Sequence, residues 1–208
     1  MDKNIQNLKF GDHISCIYRD GDELFSLVIP FFVDGLKKHN KCIFVYSEFS
    51  PEVIIEKFGY SGFDLTPYIE TNEFVIAPKD NVYLTNGFFS ADDVINHFSK
   101  IQSDALSEGF AALRVAGDSS WINGNSELVS EFMKYESRVN DYIQGTSILA
   151  LCLYSESVLD HNTLQDAISR HPELYLYDKF INNEYFGLRD YSGLTYEQIV
   201  KNLYNNIQ

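Results

Sequence analysis

The chain has 208 residues, of which 45% are hydrophobic and 22% charged, enough apolar material for one large domain with a real core. Thirty acids against sixteen Lys and Arg give a formal net charge of −14, which disfavours duplex nucleic acid and anionic membrane surfaces as partners. No apolar run approaches the roughly 20 residues of a membrane span, and "MDKNIQNLKF" lacks the order of a secretory signal, so a cytoplasmic location is expected.

In chain order, the first apolar run is "HISCIY" (13–18), read as a strand. "ELFSLVIPFFVDGLKKH" follows with Leu24, Leu27, Val28, Phe31, Phe32 and Leu36 at helical spacing, and Pro30 is expected to kink or break that helix. "KCIFVYSE" (41–48) reads as a buried strand, and "SPEVIIEKFGYSG" as a helix with Ser50 at the N-cap and Pro51 in the first turn. "EFVIAP" (73–78) predicts a short strand, and "SADDVINHFSKIQSDALSEG" a helix opened by Ser90 and Asp93. "FAALRVAGD" predicts a strand. The helix after it, "NSELVSEFMKYESRVNDYIQG", carries an apolar stripe of Leu128, Phe132, Tyr135, Val139 and Tyr142. "TSILALCLYSE" (146–156) is the most continuous apolar strand. "NTLQDAISRHP" predicts a helix stopped by Pro172, "ELYLYDKF" one last strand, and "LTYEQIVKNLYNN" a terminal helix with a Thr195–Gln198 capping box. Strand–helix alternation with fully apolar strands predicts an α/β fold: a three-layer α/β/α sandwich around a mostly parallel sheet, as a single domain over 1–208.

Ligands of such sheets bind beyond the carboxyl ends of the strands. There this chain offers Tyr18, Glu48, Asp118, Trp121 and Tyr154, with Asp118 and the single tryptophan adjacent in "LRVAGDSSWING". Arg114, inside an apolar strand, is expected to pair with a carboxylate. The turn that would be a phosphate loop, "YRDGDELFS", has one glycine, no lysine and three acids, so a triphosphate is not expected to bind. His13, His39, His97, His161 and His171 are scattered without an i, i+4 pair, and Cys16, Cys42 and Cys152 without a CxxC spacing. No metal site, disulfide framework or catalytic elbow is expected from that pattern, and plain core packing is the alternative reading of Trp121.

Several stretches resemble the MEDS family, the methanogen/methylotroph DcmR sensory domain. "GDHISCIY" is similar to its G-x-H-I-x-x-x-Y opening, and "PFFVDGLKKHNKCIFVYSE" to its proline-containing helix and second strand, with Asn40-Lys41 in place of Gly-Glu. "VYLTNGFFSADDVI", "GFAALRVAGDSSW", "YESRVN", "LCLY" and His171-Pro172 complete the order over about residues 8–186, with 187–208 as a tail. Asp118 stands where the family has glutamate, Leu153 where glutamine and Ser155 where aspartate are common. The resemblance implies a RecA/KaiC-like fold with a degenerate phosphate loop. It also implies a non-enzymatic sensory domain for a small organic, hydrocarbon-derived ligand.

The expected ligand-binding residues are His13, Tyr18, Glu48, Arg114, Asp118, Trp121 and Tyr154, with no catalytic residue, cofactor or metal. Trp121 and Tyr18 would be aromatic walls, Asp118 and His13 polar anchors. A small organic ligand and a separate kinase or transcription regulator are the expected partners, with a homodimer as the expected assembly. A scaffold acting through its surface is the alternative, and a residual nucleotide enzyme a third reading.

Overall fold

A computed structural model describes residues 4–188 and 193–205. Its centre is a seven-stranded sheet in the order β3-β2-β4-β5-β1-β6-β7. The strands are β1 (His13–Tyr18), β2 (Lys41–Tyr46), β3 (Phe74–Pro78), β4 (Leu113–Asp118), β5 (Ile148–Ser155), β6 (Glu173–Leu176) and β7 (Lys179–Asn182). All neighbouring pairs are parallel except β6 with β7. The helices are α1 (Gly21–Lys37), α2 (Pro51–Tyr60), α3 (Thr66–Glu70), α4 (Lys79–Val82), α5 (Ala91–Ser107), α6 (Ser126–Ile143), α7 (His161–Arg170) and α8 (Tyr196–Asn205).

Side chains alternate across each strand, so one sheet supplies two cores. Ile14, Cys16 and Tyr18 of β1 join α1, α2 and α3 on one face. Ile17, Val115 and Tyr154 join α4 to α8 on the other. This is the expected three-layer α/β/α arrangement. Side-chain caps start the long helices where the sequence placed them: Ser50 accepts from Val53 N–H and Ser90 from Asp93 N–H. The Thr195–Gln198 box closes in both directions, at 2.8 and 3.3 Å.

Two expectations change. α1 is continuous through Pro30, so of the expected kink or break the break is absent, the rest of the helix being fixed by a buried face that includes Phe31 and Phe32. "ELYLYDKF" is a hairpin rather than one strand. Tyr177 and Asp178 both take positive φ, 48° and 66°, the geometry of a two-residue type I′ turn built without glycine. Of the tail, residues 189–192 and 206–208 lie outside the described residues.

Candidate functional site

The expected rim residues are held in a network of the protein's own hydrogen bonds. Asp118 closes β4 and is 2% exposed. Its Oδ2 accepts from the backbone of Ser47 (3.1 Å) and Glu48 (3.0 Å) and from the Ser47 hydroxyl, and its Oδ1 accepts from Ser120 N–H (2.9 Å). One carboxylate therefore ties the end of β2 to the end of β4. Its shorter side chain, compared with glutamate, suits direct contact with the adjacent strand's backbone. Beside it, the Tyr18 hydroxyl donates to Glu48 Oε2 at 2.8 Å. Burial pushes the Glu48 carboxyl up, with the Asp118 charge adding to the rise and the Tyr18 hydrogen bond opposing it.

The turn before α1, where a phosphate would bind in a nucleotide-binding relative of this topology, is filled by acids. Glu23 Oε2 accepts from Arg19 N–H at 2.8 Å, its two oxygens hold the Arg19 guanidinium at 3.0 and 3.2 Å, and Asp20 caps Glu23 N–H. At this helix start the Glu23 amide, the Arg19 amide and the Arg19 guanidinium are taken by carboxylates of the chain itself.

Arg114 sits apart from the rim. Its guanidinium donates to Asn40 Oδ1 (2.9 Å), the Phe31 carbonyl (2.7 Å) and Asp34 Oδ2 (2.7 Å), tying β4 to α1. A Cβ on Gly35 would lie 2.6 Å from Arg114 Cδ, so that glycine makes room for the strut. The expected carboxylate partner is present, and its role is packing α1 on the sheet.

Trp121 follows β4 in a short 3-10 turn (Ser120–Ile122) and lies flat on Tyr83, ring centroids 5.4 Å apart at 22°. Phe132 meets its edge at 5.5 Å. The Tyr83 hydroxyl lies against Gly117, where an added Cβ would come within 2.1 Å of it.

Beneath this aromatic stack, between the sheet and helices α5 and α6, is a cavity of about 40 Å³. Tyr83, Phe98, Tyr135, Val139, Tyr142 and Cys152 are among its walls. It is almost wholly apolar. Among its wall residues, Tyr142 carries a buried hydroxyl that forms no hydrogen bond with the described residues.

His13 and Tyr154 belong to a third group. His13 opens β1, at the end of the strand away from Tyr18, and points to the α6 face. Its Nε2 lies 3.1 Å from both Glu136 Oε2 and Cys152 Sγ. His171, between α7 and β6, places Nε2 3.5 Å from the same carboxylate oxygen, close enough for charge attraction but without hydrogen-bond geometry. The Tyr154 hydroxyl donates to Glu136 Oε1 at 2.9 Å. Burial alone would raise the Glu136 carboxyl, but the adjacent His13 and His171 rings more than offset it and hold it well below the usual range. Burial pushes the Cys152 thiol up, with the Glu136 charge adding to it, and pushes His171 down.

The seven expected residues thus fall into separate places. Tyr18, Glu48 and Asp118 meet at the rim, and Trp121 lies near it in the aromatic stack. Arg114 is a strut, and His13 with Tyr154 sits deep under α6. Glu136, Cys152 and His171 were not picked out as site residues, although each lies in a stretch quoted for the family resemblance. The signal for Glu136 was available: it falls four residues after Phe132 and three before Val139, an acid on the apolar stripe of α6. His171 has no comparable local signal, since its partners are 35 and 158 positions away in sequence.

Comparison with known proteins adds a family and a fold. The family model described as MEDS, the methanogen/methylotroph DcmR sensory domain, matches residues 12–172. No curated protein sequence matches the chain. Among solved structures, the flagellar accessory protein FlaH from Methanocaldococcus jannaschii aligns with a TM-score of 0.53 at 10% identity, covering 82% of this chain and 75% of that one. PH0321 from Pyrococcus horikoshii, an uncharacterized protein crystallised with an unknown peptide, aligns with a TM-score of 0.59 at 14% identity, covering 84% and 82%. At such identities the likeness concerns the fold, which is RecA-like.

Proposed function

The chain belongs to the MEDS family, and on that premise we propose that it is a non-enzymatic sensory domain whose ligand is a small, largely apolar organic molecule. The cavity between the sheet and α5–α6 receives it. The single observation that carries this reading is that cavity: mostly apolar walls, a few tyrosines and Cys152 among them, and a size of about 40 Å³. Pockets of this kind join an apolar lining to few convergent polar groups. A water occupies about 10–15 Å³ by the same measure, so the ligand has only a few heavy atoms. With four heavy atoms, the binding ceiling is about 6 kcal/mol, or a dissociation constant of tens of micromolar.

The expected rim residues then act as support. Asp118 holds the ends of β2 and β4, and Trp121 backs the Tyr83 ring that walls the cavity. Signalling requires that the ligand favour one arrangement of these elements over another. α5 and α6 are the elements that would respond, because they form the cavity's outer wall. A separate kinase or transcription regulator would read the change.

The test is a titration of the full chain with short-chain alcohols and haloalkanes, followed by Trp121 fluorescence and thermal denaturation. A binding member should change the emission, and at a hundredfold excess over its dissociation constant should stabilise by about 2.7 kcal/mol. Ala150→Ile, which fills the cavity from β5, should remove both effects while the fold remains. Silence across the panel, a response that survives Ala150→Ile, or saturable Mg-ATP binding would overturn the reading.

A further inference from the structure

We propose that His13, Glu136, Cys152 and His171 form a closed binding site for one divalent transition-metal ion of the zinc class. The proposal goes beyond the sensory reading and does not depend on it.

The four side chains come from β1, α6, β5 and the α7–β6 junction, and their ligand atoms all lie within 4.8 Å of one another. The closest pairs are 3.1–3.5 Å apart. A tetrahedral zinc ion with bonds of about 2.0–2.3 Å sets its ligand atoms roughly 3.3–3.8 Å apart, so small adjustments would centre an ion here. Two imidazoles, a carboxylate and a thiolate form a donor set suited to zinc-class ions rather than to magnesium or calcium.

The outer hydrogen bonds select the tautomers such a site needs. Asn140 Nδ2 donates to the Arg170 and Glu136 carbonyls at 2.6 and 3.3 Å. That orientation leaves Asn140 Oδ1 as the acceptor, 3.0 Å from His13 Nδ1, which must therefore carry the proton. His171 Nδ1 lies 2.7 Å from the Ala167 carbonyl, which can only accept, so it too is protonated. With an ion bound and both rings neutral, each Nε2 lone pair then faces the centre shared with Glu136 and Cys152. Tyr154 holds the other carboxylate oxygen and leaves Oε2 for the ion. Partners of this sort orient ligand side chains in metal sites generally.

A second observation points to something in the centre. His171 is fully buried, and its Nε2 faces the cluster with no hydrogen bond to any described residue. Ser15 Oγ, level with Cys152 across the β1–β5 ladder, is buried and unpartnered as well.

The charge balance also closes. Binding M²⁺ releases the Cys152 thiol proton to solvent. The ion's two positive charges then meet one thiolate and one carboxylate, with both imidazoles neutral. The buried site is left without net charge, which removes the cost of an unpaired ion. With four protein ligands the site is closed, as in structural zinc sites.

The test uses the full chain. Protein purified without chelator should carry one equivalent of zinc by elemental analysis. After chelation, Co²⁺ should give the intense visible bands of a tetrahedral site and a thiolate-to-cobalt charge-transfer band. Cys152→Ser should abolish the charge-transfer band, while Cys42→Ser, on the other face of the sheet, should keep it. Asn140→Ala should weaken binding by about 10- to 100-fold through loss of ring orientation. Folded chain without zinc and without a cobalt spectrum overturns the proposal, as does a charge-transfer band that survives Cys152→Ser. If Cys152→Ser fails to fold, the zinc content and cobalt spectrum of the unaltered chain decide.

Discussion

At the scale of the residue, Asp118 is the most heavily used rim side chain. Four donors converge on it, three of them backbone N–H groups. Asp118→Ala leaves those three amides without an acceptor and should cost about 3 kcal/mol in chemical denaturation. Asp118→Asn, which keeps one acceptor oxygen, should cost about half as much. A loss below 0.5 kcal/mol for the alanine change would mean that water replaces the carboxylate and that the residue is not structural. The prominence of Asp118 was legible in the sequence because an acid ends an apolar strand beside the single tryptophan. Its commitment to the neighbouring strand was not legible, because Ser47 and Glu48 lie 71 and 70 positions away. Glu136 and His171 escaped for the same reason: a cluster assembled from four elements has no spacing of its own.

At the scale of the element, β4 meets the residue that ends α4 in a tight contact, Gly117 against the Tyr83 hydroxyl. Gly117→Ala should force that ring aside, cost about 1–3 kcal/mol by overpacking, and shift Trp121 emission through the stack. Adding Tyr83→Phe removes the clashing oxygen and leaves the ring carbon at 3.4 Å, an ordinary contact. The double variant should therefore be more stable than Gly117→Ala alone in a thermal melt, and equal or lower stability would show that the glycine serves another purpose. The helices and parallel strands were readable from periodicity and caps. α3 and α4 went unpredicted because short helices of five and four residues carry too little pattern. The β6–β7 hairpin was missed because its turn uses Tyr177–Asp178 where glycine or asparagine is the usual sign.

At the scale of the molecule, a formal net charge of −14 sits on a fold whose buried charges are largely paired. Surface acids repel one another over a screening length of about 30 Å at 0.01 M salt, which shrinks to about 8 Å at 0.15 M. The thermal midpoint should rise between those two conditions, as read by calorimetry. A fall would show that exposed ion pairs such as Lys100–Asp104 and Arg138–Asp92 outweigh the repulsion.

Cys152 is a wall of the apolar cavity on one side and a member of the His13–Glu136–His171 cluster on the other. Two binding events separated by one sulfur atom cannot be thermodynamically independent if either displaces that atom. Whatever factor an ion imposes on the affinity of a guest in the cavity, the guest must return to the ion in equal measure. Chelation would then reset the threshold at which this domain responds.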